Sequence, residues 1–189
     1  MSRIALIAGA LLAFAVPSAS QAALAVGARA PDFSGQSAQG GKVEPFNLRT
    51  ALRQGPVVLY FFPAAFTKGC TLETHAFADA MEQFHAAHAT VIGMSADNLD
   101  TLKDFSTKEC GSKFAMVSAT PAIIRSYDVA MTADMMPEQY RSNFTPGKTA
   151  RTSYVIAPNG RVTMVHTDLD YRDHVRLTLE AVQALSHRH

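Results

Sequence analysis

The 189-residue chain carries two cysteines, and they keep different company. Cys70 closes the run Pro63-Ala64-Ala65-Phe66-Thr67-Lys68-Gly69-Cys70. That run joins an apolar stretch that reads as a strand to an amphipathic stretch that reads as a helix, which puts the thiol on a helix's first turn. Unpaired backbone N–H groups and the positive end of the helix dipole favour a thiolate there. Thr67, three residues upstream, can accept from the sulfur or hold an oxygen beside it, and Pro63 screens it from water. A thiolate so placed is a nucleophile for a small electrophile. Helical geometry excludes a cysteine–histidine dyad: at 100° per residue His75 lies about 140° around the helix from Cys70. His88 returns to the right stripe but about 27 Å further along. Glu73 stands only about 60° away and one turn on. Cys110 falls at the predicted C-terminal end of the second helix, before Gly111.

The elements that must position these residues alternate. Residues 57–62 form a continuous apolar run, as expected of a strand buried on both faces, and Pro63 stops it. A helix follows with Leu72, Ala76, Phe77, Ala80, Met81 and Phe84 as its apolar stripe. Residues 91–94 read as a strand, 99–109 as a helix capped by Asp97 or Asn98, 114–117 as a strand and 122–127 as a short helix. Residues 153–157 and 161–165 flank Pro158-Asn159-Gly160, a hairpin signal, and 172–185 read as a closing amphipathic helix. The polar segment 35–41 shows no element, and 128–150 is a long irregular loop of the kind that carries function. The order predicts an α/β fold, a central mixed β-sheet flanked by helices.

Seventeen basic against sixteen acidic side chains give no electrostatic footprint for nucleic acid or an anionic membrane. Two cysteines are too few for a four-thiolate zinc or iron–sulfur site. The first 22 residues read as a signal peptide: Arg3, an uncharged run over 4–16, Pro17, then Ser20 and Ala22 at the −3 and −1 positions of a cleavage site. The run is too short for a membrane anchor, and no cysteine near the cleavage site could take a lipid. Residues 23–189 are then one exported domain, periplasmic in a Gram-negative source, in a compartment that permits disulfides.

Pro63-x-x-x-Thr67-x-x-Cys70 resembles the active-site motif of the peroxiredoxins (the AhpC/TSA superfamily), cysteine peroxidases on an elaborated thioredoxin fold. Gly27-Ala28-Arg29-Ala30-Pro31-Asp32-Phe33 is similar to the family's N-terminal G-x-x-A-P-D-F segment. Residues 57–62 resemble the strand before the motif, and Arg151-Thr152-Ser153-Tyr154-Val155-Ile156 its late strand, preceded by the active-site arginine. The resemblance covers most of 23–189 and is strongest to the bacterioferritin-comigratory, or PrxQ, branch. It implies that Cys70 is the peroxidatic cysteine, that Thr67 orients the peroxide, that Pro63 shields the thiolate, and that Arg151 holds thiolate and peroxide. Glu73 matches an acidic residue that positions the arginine. It also implies a peroxide substrate, an external thiol or thioredoxin-like reductant, no metal or organic cofactor, and a monomer or homodimer. One position departs: five residues after the first cysteine, where many PrxQ-like proteins have a second, stands His75. By resemblance to thiol peroxidases and some PrxQ-like proteins, Cys110 is the resolving partner in a Cys70–Cys110 disulfide. An inert buried Cys110, or resolution by an external thiol, are the alternatives.

Other signals are weaker. His85 and His88 have a metal-ligand spacing without a third ligand, and His187–His189 read as a frayed end. Met131, Met135, Met136, Tyr140 and Phe144 either line a pocket for organic hydroperoxides or simply pack the long loop. Two rival functions remain. An exported thioredoxin-like disulfide oxidoreductase normally uses C-x-x-C, whereas Cys70 is followed by Thr71-Leu72-Glu73. A non-enzymatic copper-binding protein of thioredoxin fold wants two neighbouring thiols and a distant histidine.

Overall fold

The computed structural model describes residues 24–186, so the expected signal peptide and His187–His189 lie outside the described residues. A hairpin opens the fold where the polar segment had shown no pattern: β1 (Ser34–Gln39) pairs antiparallel with β2 (Lys42–Asn47). Gly40 and Gly41 both have positive φ, 56° and 77°, as a two-residue primed turn requires. Its strands are polar because β2 lies at the sheet edge, where Lys42, Glu44 and Pro45 discourage further pairing. A five-residue helix, α1 (Leu48–Leu52), follows; its N-cap Asn47 accepts from the Thr50 N–H at 2.8 Å. It is too short to show a period.

The remaining elements stand close to expectation, with ends shifted by one or two residues. They are β3 (Val57–Phe61), α2 (Lys68–Asp79), α3 (Met81–Ala86), β4 (Thr90–Ser95), α4 (Leu99–Glu109), β5 (Ala115–Ser118) and α5 (Pro121–Ser126). Two 3-10 turns (Ala133–Met135 and Glu138–Asn143) interrupt the long loop before β6 (Thr152–Ile156), β7 (Val162–Thr167) and α6 (Arg172–Ser186). The sheet order is β2-β1-β5-β4-β3-β6-β7, with β3, β4 and β5 parallel and the other pairs antiparallel. This is the expected thioredoxin-like mixed sheet.

The β3 strand sorts its side chains between two cores, as the period-2 pleat dictates. Val57, Leu59 and Phe61 pack with Leu48 and Leu52 of α1 and Ile123 and Ile124 of α5. Val58, Tyr60 and Phe62 pack on the other face with α2, α3, α4 and Val182 of α6. Tyr60 stacks on Phe77 of α2 with ring centroids 4.2 Å apart, and its hydroxyl pairs with Thr74 at 3.2 Å. On the adjoining strand a Cβ at Gly93 would collide with the Tyr60 hydroxyl and the Met116 sulfur, so only glycine leaves room for that ring.

Two expectations are corrected. The helix after the motif is two helices, broken at Ala80, which ends α2 and begins α3. Phe77, Ala80, Met81 and Phe84 of the expected stripe are buried, but Leu72 is exposed, and the buried face also takes in Glu73 and Thr74, both fully buried. Both polar side chains have partners in the core, Arg151 and Tyr60, and a partnered polar group tolerates burial.

Candidate active site

Cys70 is the third residue of α2 and lies just past the C-terminal end of β3. The chain turns into the helix through Phe66, which takes a left-handed conformation (φ 61°), and Thr67, which is extended. Left-handed backbone is costly for an aromatic residue and persists only where surroundings fix it. Here Ala65 N–H donates to Asp97 Oδ2 at 2.7 Å and Thr149 Oγ1 donates to the Phe62 carbonyl at 2.6 Å. The Phe66 ring meets Phe105 edge-on at 5.1 Å. Asp97, weighed above as a cap for α4, instead holds this loop, and Asn98 is the cap.

Thr67 is the N-cap of α2, but its hydroxyl donates to the Ala64 carbonyl at 2.9 Å instead of capping the helix. Its proton is thereby committed and its oxygen lone pairs are left to accept. The expected Thr67–sulfur contact is not among the hydrogen bonds of the described residues. Pro63 is half-buried at the end of the strand.

Cys70 is 1% exposed, although Phe66, Thr67 and Lys68 just before it are exposed. One guanidinium lies against its sulfur. Arg151 Nη2 is 3.6 Å from Sγ, Nη1 is paired with Glu73 Oε2, and Nε donates to the Leu169 carbonyl at 2.9 Å. Every nitrogen of the fork is used, so its orientation is fixed. A Cβ on Gly69 would come within 3.3 Å of Nη2, so that glycine keeps the approach open. The expected assembly of Cys70, Glu73 and Arg151 is thus one contiguous cluster. Burial opposes the Arg151 charge, but Glu73 and Cys70 outweigh it and raise the guanidinium above its ordinary value. Burial pushes the Glu73 carboxyl up to about 8, against the pull of Arg151.

Three participants had no part in the sequence reading of the site, Ser153, the Leu169 carbonyl and His174, and Asp97 entered it only as a candidate helix cap. His174 is fully buried on α6; Nδ1 is 2.8 Å from Ser153 Oγ and 3.8 Å from Glu73 Oε1, and Nε2 is 3.0 Å from the Asp168 carbonyl. A signal existed: His174, Thr178 and Val182 form the buried stripe of α6, and a histidine on such a stripe needs polar company.

His75 points away from Cys70, as the helical wheel requires, and pairs with Glu109 at 3.0 Å. His85 and His88 are exposed, and no metal-binding cluster exists among the described residues. In the long loop Met135 and Tyr140 are 40% and 53% exposed. Cys110 is the C-cap of α4, buried, with its thiol donating to the Ser106 carbonyl at 3.0 Å. Both cysteines are free and share one core. The His75–Glu109 pair, and Lys113 Nζ donating to the Ala78 carbonyl at 2.9 Å, set the end of α4 beside the later turns of α2. At 1.5 Å per residue that is on the order of 10 Å along α2 from Cys70, beyond the roughly 7 Å that a disulfide spans between Cα atoms.

The AhpC/TSA family model matches residues 26–165. The chain is similar to peroxiredoxin Q, chloroplastic, of Oryza sativa subsp. japonica: 31% identical over 188 residues, covering 94% of this chain and 82% of that one. To peroxiredoxin Bcp of Bacillus subtilis (strain 168) it is 24% identical over 163 residues, covering 86% and 98%. Among solved structures, peroxidoxin BcpB from Mycobacterium tuberculosis superposes with a TM-score of 0.72 at 25% identity, covering 85% of this chain and 97% of that one. The Xanthomonas campestris bacterioferritin comigratory protein, described by its alkyl peroxide reduction activity, gives 0.66 at 25% identity, covering 80% and 91%.

Proposed function

The chain belongs to the AhpC/TSA family, as a thiol-dependent peroxidase of the peroxiredoxin Q/Bcp branch, and we propose that Cys70 is its attacking thiol. The observation that carries this is the guanidinium of Arg151, 3.6 Å from a buried sulfur at the start of a helix. The Cys70 thiolate attacks one peroxide oxygen; the S–O bond forms as the O–O bond breaks, and the electron pair leaves with the other oxygen. Cysteine is oxidised to sulfenic acid, and the leaving alkoxide or hydroxide takes a proton to become alcohol or water. Thr67 Oγ accepts from the peroxide O–H, and Pro63 limits water. Arg151 and the first-turn N–H groups of α2 stabilise the charge that develops on the leaving oxygen. Glu73 positions Arg151.

Cys110 resolves the sulfenic acid in this reading. Its thiol condenses with Cys70 to give a disulfide and one water, and a thioredoxin-like or other external thiol reduces the disulfide. Because both sulfurs are buried and apart along α2, the first turns of that helix must open for the step. Residues 1–22 direct export and are removed, leaving 23–189 as the working domain; N-terminal sequencing of the secreted protein should begin at Ala23.

Rapid-mixing kinetics and intact mass test the scheme together. Cys70→Ser should abolish peroxide consumption, and Arg151→Ala should slow it by about 10²-fold, the scale of one lost transition-state donor. Wild type given one equivalent of peroxide should lose two hydrogens. A stable oxygen adduct instead would remove Cys110 from the cycle, and full activity in Cys70→Ser would remove Cys70.

A further inference from the structure

One oxygen of the active-site carboxylate has no partner. Glu73 Oε2 is paired with Arg151, but Oε1, fully buried, makes no hydrogen bond and faces His174 Nδ1 at 3.8 Å. The imidazole's other nitrogen is settled by its neighbour: the Asp168 carbonyl can only accept, so Nε2 carries a proton. Nδ1 therefore either holds a second proton or accepts from Ser153 Oγ at 2.8 Å. A hydroxyl donates or accepts with equal ease, so Ser153 serves both forms.

Charge counting points the same way. A Cys70 thiolate and a Glu73 carboxylate are two buried anions beside one cation, Arg151. An unbalanced buried charge is expensive, and one proton carried on either Oε1 or Nδ1 cancels it. We propose that Glu73 and His174 hold one proton between them in the reduced protein, which makes His174 a positioning residue that leaves the Arg151 charge to the sulfur and the peroxide. The inference rests on the peroxidase reading of Cys70.

The groups around His174 decide where the proton sits. Glu73 faces it from α2, Arg151 from the start of β6, His166 from β7 with ring centroids 4.6 Å apart, Asp168 from the turn before α6, and Asp173 from its own helix. The α3 helix meets α6 at the far end, where Ser186 Oγ donates to the Ala87 carbonyl. Burial, with His166 and Arg151 beside it, holds the imidazole down to about 4, while burial lifts the carboxyl to about 8. The proton therefore resides on Glu73. Above about pH 8 it leaves, and a charged Glu73 then competes with Cys70 for Arg151.

Infrared spectroscopy of the whole reduced protein reads the proton directly, independently of turnover. At about pH 6 a protonated-carboxyl C=O band should be present, absent from Glu73→Gln, and should fade with a midpoint near 8. Imidazole ¹⁵N NMR should show His174 neutral and protonated on Nε2. A cationic His174 beside ionised Glu73 would keep the shared proton but move it across the gap. An ionised Glu73 beside a His174 with no proton on Nδ1 at about pH 6 overturns the inference. For function, Ser153→Ala and His174→Gln should move the alkaline fall of peroxide kcat/KM by about one pH unit, a tenfold change in proton affinity. Ser153→Ala is the milder change should His174→Gln not fold, and an unmoved profile in a folded variant also overturns it. Peroxide consumption by Cys70→Ser would sink the Cys70 assignment while leaving the infrared result standing.

Discussion

At the scale of single residues, the site is a contest for one guanidinium. Arg151 is buried and divides its donors among Cys70, Glu73 and the Leu169 carbonyl. The two titrating groups behind it have opposite effects on stability. His174 is depressed from 6.5 to about 4, so its contribution is present above 6.5 and is lost as pH falls toward 4. Glu73 is raised from 4.5 to about 8, so its contribution is present below 4.5 and is lost as pH rises through 8. Between about pH 4.5 and 6.5 the two slopes oppose, and from 6.5 to 8 stability should fall. In His174→Gln only the Glu73 slope remains, so denaturant unfolding should show stability declining steadily from about pH 4.5, by a few kcal/mol in all. A variant with the wild-type pH profile would contradict this. Cys70, Thr67 and Pro63 could be proposed from the sequence because their spacing is local. Arg151, 81 residues from Cys70, entered only through family resemblance, and Ser153 and His174 are polar groups whose meaning comes from burial that a linear pattern does not report.

At the scale of elements, α2 is fastened at both ends. Its start is set by the loop held on Asp97, and its later turns are tied to the end of α4 by His75–Glu109 and to the turn after it by Lys113–Ala78. The second set of ties lies beside Cys110, so the helix that must open for a Cys70–Cys110 bond is clamped next to its target. His75→Ala removes a half-exposed pair worth no more than about 1 kcal/mol, so disulfide formation after a peroxide pulse should accelerate by no more than about fivefold. Stopped-flow fluorescence with rapid-quench mass analysis reads that rate, and a slower rate would reverse the role given to the pair. Strands with strong apolar runs, β3, β4 and β6, and the well-capped α4 were visible in the sequence. The β1–β2 hairpin and α1 were not: an edge hairpin is polar by necessity, and a five-residue helix holds little more than one turn.

At the scale of the whole molecule, the site lies where the parallel strands β3 and β4 end, with α6 returning over β6 and β7 to supply its back wall. The proposed Cys70–Cys110 bond asks α2 to open while the sheet stays in place, a distinction that hydrogen exchange can read. In the disulfide form, amide protection should drop across the first turns of α2 and around Cys110, and persist in β3, β4 and β6. Equal protection of α2 in the reduced and oxidised proteins would mean that the helix never opens.

The sealing of both thiols within one core ties speed to rigidity. In the proposed Cys70–Cys110 cycle each pass includes a small refolding event, and the frequency of opening then sets a ceiling on throughput under heavy oxidant load. A sulfenic acid that waits inside a closed helix is open to a second peroxide molecule, which carries it to the irreversible sulfinic acid. Substitutions that tighten α2 onto its neighbours should therefore yield a protein that survives heat better and oxidant worse.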